Sequence, residues 1–263
     1  MKKLAVIKLG GSAITIKDKP LTPKEKVIDS IASELANMHR EYDFIIVHGA
    51  GSFGHPQAKK YRLNEGYLGA WQFKGLTETK LAVEQLSLII MSRFIRQGLT
   101  LFPIHPSSIA MNIGGKLAYF NNNTVKQVLK VGLIPLLHGD VVFDEKLVFS
   151  ILSGDTIASH LAISLGAELL IYGVNVDGIY DKDPERFPNA KLLKTLSMKD
   201  LDHIDISKKA RVDVTGGIRR KLEDAFNAVK KGIKVIIANI TIPGNLTLIL
   251  KGELPERCTL LVP

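Results

Sequence analysis

The sequence predicts an α/β fold, a three-layer αβα sandwich around a mainly parallel central sheet, and three observations carry that reading. Apolar runs rich in β-branched residues recur along the chain, and helix-length segments with a period near 3.6 separate them. Strands that alternate with helices pair in parallel, so both faces of their sheet are covered. Several of the runs also stop at glycine-rich corners, as strands do where a sheet offers its carboxyl edge to a ligand.

Taken in order, strands are expected at "KLAVIKLG", "DFIIVHG", "LTLFPIH", "LIPLLHGD", "ELLIYGVNVDG" and "IKVIIANI", with "EKVIDSIASELANMHR" and "TKLAVEQLSLIIMSRFIRQG" as helices between them. The alternation lapses twice. Residues 141–152 read as a short hairpin around "DEK", and "IPGNLTLIL" reads as a hairpin or edge strand after a Pro-Gly turn, both at the margins of the sheet. Residues 172–215 are turn-rich and suit a loop system over a ligand site. A soft boundary near residue 170 gives one compact, two-lobed domain of residues 1–170 and 171–263.

Composition narrows the function. Of 263 residues, 46% are hydrophobic and 23% charged, an ordinary globular balance without low complexity or repeats. The single cysteine, Cys258, excludes an intrachain disulfide and a cysteine-based metal cluster, and favours a reducing compartment. The four apolar residues before Lys8 are too few for a signal-peptide core, and no run reaches the length of a membrane span. A soluble, cytoplasmic protein is expected. The net charge of +9 comes in short scattered groups without interleaved aromatics, which argues against nucleic acid. A basic field that attracts phosphorylated small molecules fits the same charge.

Four corners carry the chemistry. In "FIIVHGAGSFGHPQA", the glycines fit both the dinucleotide fingerprint and the first half of a P-loop, but His55 and Pro56 stand where a P-loop needs Lys then Ser or Thr. The dinucleotide fingerprint is also weak, because "YRLNEGYLGAWQFKG" follows instead of a clean helix and strand. If the helix begins at Pro56, the N–H groups of residues 50–54 are free to converge on an anion; otherwise the segment is a tight turn capped by His55. In "IKLGGSAITIK", Lys8 and Lys17 flank Gly10 and Gly11, either as a phosphate grip or as an exposed lysine pair. In "SILSGDTIASHLAISLGA", Asp155 sits at a helix N-terminus, where it either caps the helix or holds lysines in place. In "DVTGGIRRKLEDAF", Thr215, Gly216 and Gly217 open a helix with Lys221 one turn inside. Together they favour a nucleoside triphosphate and a second phosphorylated group at the carboxyl edge of the sheet.

"IKLGGS", "HGAGSFGH", "SGDTIA", "YGVNVDGIYDKDP" and "VTGGIRRK", in this order and spacing, resemble the amino acid kinase superfamily and, within it, the isopentenyl phosphate kinase family, over essentially the whole chain. The histidine of "GSFGH" is the most specific piece, shared with the related fosfomycin kinases. Ala50 departs from the family's more frequent glycine. The resemblance implies the amino acid kinase fold, with an acceptor lobe over residues 1–170 that includes the first phosphate loop, and a nucleotide lobe over residues 171–263. It implies that Lys8, Gly10, Gly11, Ser12 and Lys221 contact the phosphates of ATP, and that Gly51, Asp177 and Gly216 border the nucleotide. Ala50, Gly51, Gly54, His55 and Gly154 would hold isopentenyl phosphate, Lys17 would stabilise the transferring phosphoryl group, and Asp155 would organise the lysines. Mg2+ would bridge the ATP phosphates without a dedicated carboxylate cage, and the enzyme would be a homodimer. Phe73 and Leu76 are candidates for the apolar tail of the acceptor. Fosfomycin or uridylate kinases, and a non-catalytic nucleotide-binding protein of this fold, remain alternatives.

Overall fold

A computed structural model describes residues 2–182, 184, 187–202 and 217–263. Strand β1 (Lys3–Leu9) leads through a one-turn helix α1 (Gly11–Ile14) to α2 (Glu25–Met38), β2 (Tyr42–His48) and α3 (Gly51–Lys60). After α4 (Gln72–Ile95) come β3 (Leu101–Pro103), β4 (Ala110–Ile113), β5 (Lys116–Phe120), α5 (Asn123–Lys130), β6 (Ile134–His138), β7 (Asp140–Asp144) and β8 (Val148–Leu152). The remainder comprises α6 (Gly154–Leu165), β9 (Leu169–Val174), β10 (Thr195–Leu196), α7 (Gly217–Val229), β11 (Lys234–Asn239), α8 (Asn245–Leu250) and β12 (Cys258–Leu261).

Among the described residues, the main sheet has eight strands in the order β10-β12-β11-β9-β1-β2-β6-β3. Its six-strand core from β11 to β3 is parallel; β12 runs antiparallel to β11, and β10 follows β12. The chain leaves β1 toward β2 and later returns to its other side as β9. The carboxyl end of β1 is therefore where the strand order reverses, the usual ligand crevice of an open α/β sheet. The six strands expected from the alternating pattern are present as β1, β2, β3, β6, β9 and β11.

Side-chain alternation sorts the two faces. Ala5, Ile7 and Leu9 of β1 join a buried cluster with α2, α4 and α8, while Val6 points into a second cluster with α5, α6 and α7. A strand's period of two then puts Lys8 on the α6/α7 side. Both faces are covered, which explains the near-continuous apolar strands.

Two peripheral expectations need correction. Residues 141–152 do form a hairpin, β7–β8, but it belongs to a second, four-stranded sheet, β5-β4-β7-β8, and not to the margin of the main one. The partner strands β4 (AMNI) and β5 (KLAYF) are too short to show a clear apolar alternation, so this sheet left no signal. "IPGNLTLIL" is not a strand: it holds α8, whose Leu246, Ile249 and Leu250 are buried at helical spacing. The place beside β11 is taken instead by β12, with β10 at the edge. Among the described residues, no helix is long and apolar enough to cross a membrane.

The first two corners touch through bare backbone. A Cβ on Gly11 would stand 2.4 Å from the Gly51 nitrogen, and Gly51 itself holds φ at +50°. Gly11→Ala is expected to destabilise the fold by about 1–3 kcal/mol, the usual cost of overpacking. A urea midpoint equal to that of the wild type would refute this contact.

Candidate active site

The corner after β1 is built on Lys8, the penultimate strand residue, whose ammonium meets the Asp155 Oδ1 at 2.9 Å. Lys221, from the first turns of α7, approaches the Asp155 Oδ2 at 3.6 Å. Asp155 is buried in the first turn of α6, with both lysines largely shielded from solvent. Burial alone would raise its carboxyl, yet the ammonium groups of Lys221 and Lys8 outweigh that and hold it below the ordinary carboxylate range. The helix cap is Ser153, whose hydroxyl accepts the Thr156 N–H at 3.1 Å. Asp155 is thereby released from capping and holds the two lysines.

The second corner is tighter than the sequence suggests. Helix α3 begins at Gly51, not at Pro56, which lies inside it. The N–H groups of Phe53 and Gly54 bond back to the Ala50 carbonyl, and that of Ser52 bonds to the Thr15 hydroxyl. Among the described residues, only the N–H groups of Ala50 and Gly51 in this corner lack such an acceptor. The expected convergence of residues 50–54 is therefore reduced to the first two. Pro56 has another effect: it offers no N–H to the Ser52 carbonyl one turn back, and Leu21 fills that place at 3.3 Å. The segment that carries Lys17 is thus tied to the helix that carries His55.

His48, the last residue of β2, supports this corner from behind. Its Nδ1 faces the Gly49 carbonyl at 3.1 Å and must donate to it, which leaves Nε2 to accept the Ser87 hydroxyl at 2.7 Å. Burial, helped by neighbouring His138, pushes its pKa down to about 3, so the ring stays neutral.

Lys8, Gly10, Gly11, Ser12, Lys17, Ala50, Gly51, Gly54, His55, Gly154, Asp155 and Lys221 all line one cleft of about 530 Å³. Asp177 does not: it takes Arg257 Nε at 2.5 Å and the Tyr180 hydroxyl at 3.1 Å. Gly216 and Thr215 lie outside the described residues. Neither Phe73 nor Leu76 lines the cleft; Phe73 is half exposed and stacks on Tyr67, and Leu76 packs against the small cluster of Ala58, Leu63, Val141 and Phe149. The apolar wall is made instead by Ala58, Val83, Val141 and Ile151. Sequence reasoning also missed Lys80 and Asp140, an ion pair at 2.6 Å on that wall. The glycine after "LIPLLH" was the signal available for Asp140. Among the described residues, five lysines line the cleft against three aspartates, so an anionic ligand is favoured.

A cleft at the carboxyl edge of this sheet, with lysines arranged around one carboxylate and glycine corners on two sides, defines a phosphoryl-transfer class. The profile of the amino acid kinase family matches residues 3–239, and the chain belongs to that family. It is 34% identical to an isopentenyl phosphate kinase of Methanothermobacter thermautotrophicus over 260 residues, covering 95% of this chain and 96% of the relative. The isopentenyl phosphate kinase of Methanocaldococcus jannaschii is also 34% identical, over 84% of this chain and 85% of its own. A solved structure titled as an isopentenyl phosphate kinase superposes with a TM-score of 0.84 at 29% identity, over 98% of this chain and all of the other. Within the family, the chain belongs to the isopentenyl phosphate kinases.

Because the Asp155 carboxyl is depressed, its contribution to stability is present above the unfolded value, near 3.9, and is lost as pH falls through the lower folded value. The stability gap between wild type and Asp155→Asn is therefore expected to be flat from pH 7 to about 5 and to shrink below about 4. A gap that widens toward acid, in urea melts across that range, would contradict the ion group.

Proposed function

We propose that this chain phosphorylates isopentenyl phosphate with ATP, giving isopentenyl diphosphate and ADP, and that the twelve cleft residues named above carry the reaction. The observation that supports it most is the convergence of Lys8, Lys17, Lys221 and His55 on one cleft that also has an apolar wall. Lys8, Lys221 and the corner at Gly10, Gly11 and Ser12 bind the triphosphate. Ala50, Gly51, Gly54, His55 and Gly154 bind the acceptor phosphate, with Ala58, Val83, Val141 and Ile151 against its tail. An oxygen of that phosphate attacks the γ-phosphorus in line, the bond from the γ-phosphorus to the bridging oxygen breaks, and ADP leaves with the electron pair. The acceptor dianion is already a nucleophile, so no strong base is needed, and positioning with charge neutralisation does the work. Lys17 stabilises the charge on the group in flight.

Magnesium fits this site as a companion of the nucleotide. Among the described residues, no group of three or more His, Cys, Asp or Glu is placed to hold a metal, and Asp155 is engaged by its lysines. The ion would supply charge neutralisation on ATP, held mainly by phosphate oxygens and water. We assign the acceptor to residues 1–170 and most nucleotide contacts to residues 171–263, with Asp177 and Gly216 at the nucleotide's border. A cytoplasmic homodimer completes the reading. Its contact is assigned to exposed Leu81, Leu88 and Ile95, spaced by seven along α4. Leu88→Lys is expected to shift sedimentation from dimer to monomer, and a monomeric wild type would remove the assignment.

ADP release from Mg-ATP, measured with isopentenyl phosphate, dimethylallyl phosphate, fosfomycin and UMP, tests the activity. Turnover confined to the two prenyl phosphates is expected; turnover with another acceptor alone would reassign the partner of His55, and silence with measurable ATP binding would favour the non-catalytic reading. His55→Ala should keep its fold and lose at least about 100-fold in turnover, and Lys17→Met should lower kcat more than it raises the KM for ATP. Near-normal turnover in the first, or an intact kcat in the second, would remove that residue from its role.

A further inference from the structure

The cleft contains a second buried carboxylate to which the reaction above gives no role. Asp140, the first residue of β7, has a side chain only 2% exposed, and it lines the same cleft. Its Oδ1 accepts the Lys80 ammonium at 2.6 Å, and its Oδ2 accepts the Ser107 N–H at 2.9 Å. The Lys80 ammonium also donates to the Ser107 hydroxyl at 2.9 Å. Burial works to raise the Asp140 carboxyl, but His138 and Lys80 more than offset it, so the group stays ionised.

The pair stands at the acceptor end. Asp140 follows Gly139, whose N–H bonds the His48 carbonyl just before the acceptor corner. Gly139 packs so closely on the next corner that a Cβ there would lie 3.0 Å from the Gly154 nitrogen. On α4, the neighbours of Lys80 do the same from the other side: a Cβ on Gly54, one residue before His55, would lie 2.7 Å from Val83 and 3.7 Å from Thr79. A bare carboxylate within about 8 Å of a phosphate dianion would weaken its binding by more than about ten-fold at an effective dielectric near 20. Asp140 is therefore compatible with an anionic acceptor only while its charge is masked.

We propose that Lys80 is a positioning residue that acts through Asp140, neutralising it so that the acceptor half of the cleft admits a phosphate dianion. This rests on the assignment of the acceptor corner given above. It differs from a direct grip of Lys80 on the acceptor phosphate, and from a purely mechanical brace between α4 and β7, in what removing the carboxylate does.

Three variants separate these roles: Lys80→Met, Asp140→Asn, and the two combined. Lys80→Met is expected to raise the KM for isopentenyl phosphate about ten-fold, equivalent to about 1.4 kcal/mol, with the KM for ATP within about two-fold of wild type. The double variant should return the acceptor KM to within about three-fold of wild type, because no unmasked charge remains. Asp140→Asn alone should leave it equal or lower. A double variant as impaired as Lys80→Met would overturn the proposal, as neither a lost grip nor a lost brace is mended by a second deletion. An acceptor KM raised ten-fold by Asp140→Asn alone would also overturn it, whether or not Lys80→Met folds. Calorimetric binding of isopentenyl phosphate to the same proteins should follow the same order without needing turnover. A wild type that neither binds nor turns over isopentenyl phosphate refutes the assigned function; one that binds it, with the double variant unrestored, refutes only the role of Lys80.

Discussion

Much of the site depends on backbone meeting backbone at the carboxyl edge of the sheet. The corner after β1 and the corner after β2 approach until the Gly11 Cα region lies against the Gly51 nitrogen, leaving no room for a side chain. The Gly10 N–H donates to the Gly173 carbonyl at 2.8 Å on the other side, so the first corner is held between its two neighbours. This contact brings the N–H groups of the second corner and the lysines of the first to one cleft. Parallel strands in register make it possible, since Lys8 stands level with Val47 on β2 and with Tyr172 on β9.

The electrostatic counterpart is a pair of buried carboxylates, each matched to ammonium groups. Asp155 holds Lys8 and Lys221, and Asp140 holds Lys80. An unpaired carboxylate in either place would be strongly unfavourable, because burial penalises the charged form. The two pairs differ in purpose. Around Asp155 there is more positive charge than negative, which suits a triphosphate gaining charge on its leaving group. At Asp140 one lysine meets one carboxylate, and the wall beside it is otherwise apolar, which suits an acceptor with a charged head and a hydrocarbon tail.

Pro56 shows how a local feature acquires tertiary meaning. Read along the chain, a proline after "GSFGH" suggests a helix start, since proline is favoured in a first turn. In three dimensions the helix starts five residues earlier, because Gly51 can adopt φ of +50° against the first corner. The proline then frees a carbonyl that Leu21 uses, and so ties the Lys17 segment to the acceptor helix. Local propensity alone cannot reveal this, because the partner lies more than thirty residues away.

The sheet's parallel core, the helices that cover it and the corners where chemistry collects can all be read along the chain. Those features are written in short-range patterns: alternation, 3.6-residue periodicity, and glycine or lysine next to a strand end. Twelve of the residues proposed for the site, from Lys8 to Lys221, stand on or near such corners and lie together in the cleft. The remaining features arise only when distant segments meet. Asp177 carries a recognisable motif yet turns to Arg257, the apolar wall is drawn from α3, α4, β7 and β8 and not from Phe73 or Leu76, and Lys80 finds Asp140 sixty residues on. A pairing between distant segments leaves no periodic trace, and a polar side chain on a strand or helix looks solvated until the fold buries it.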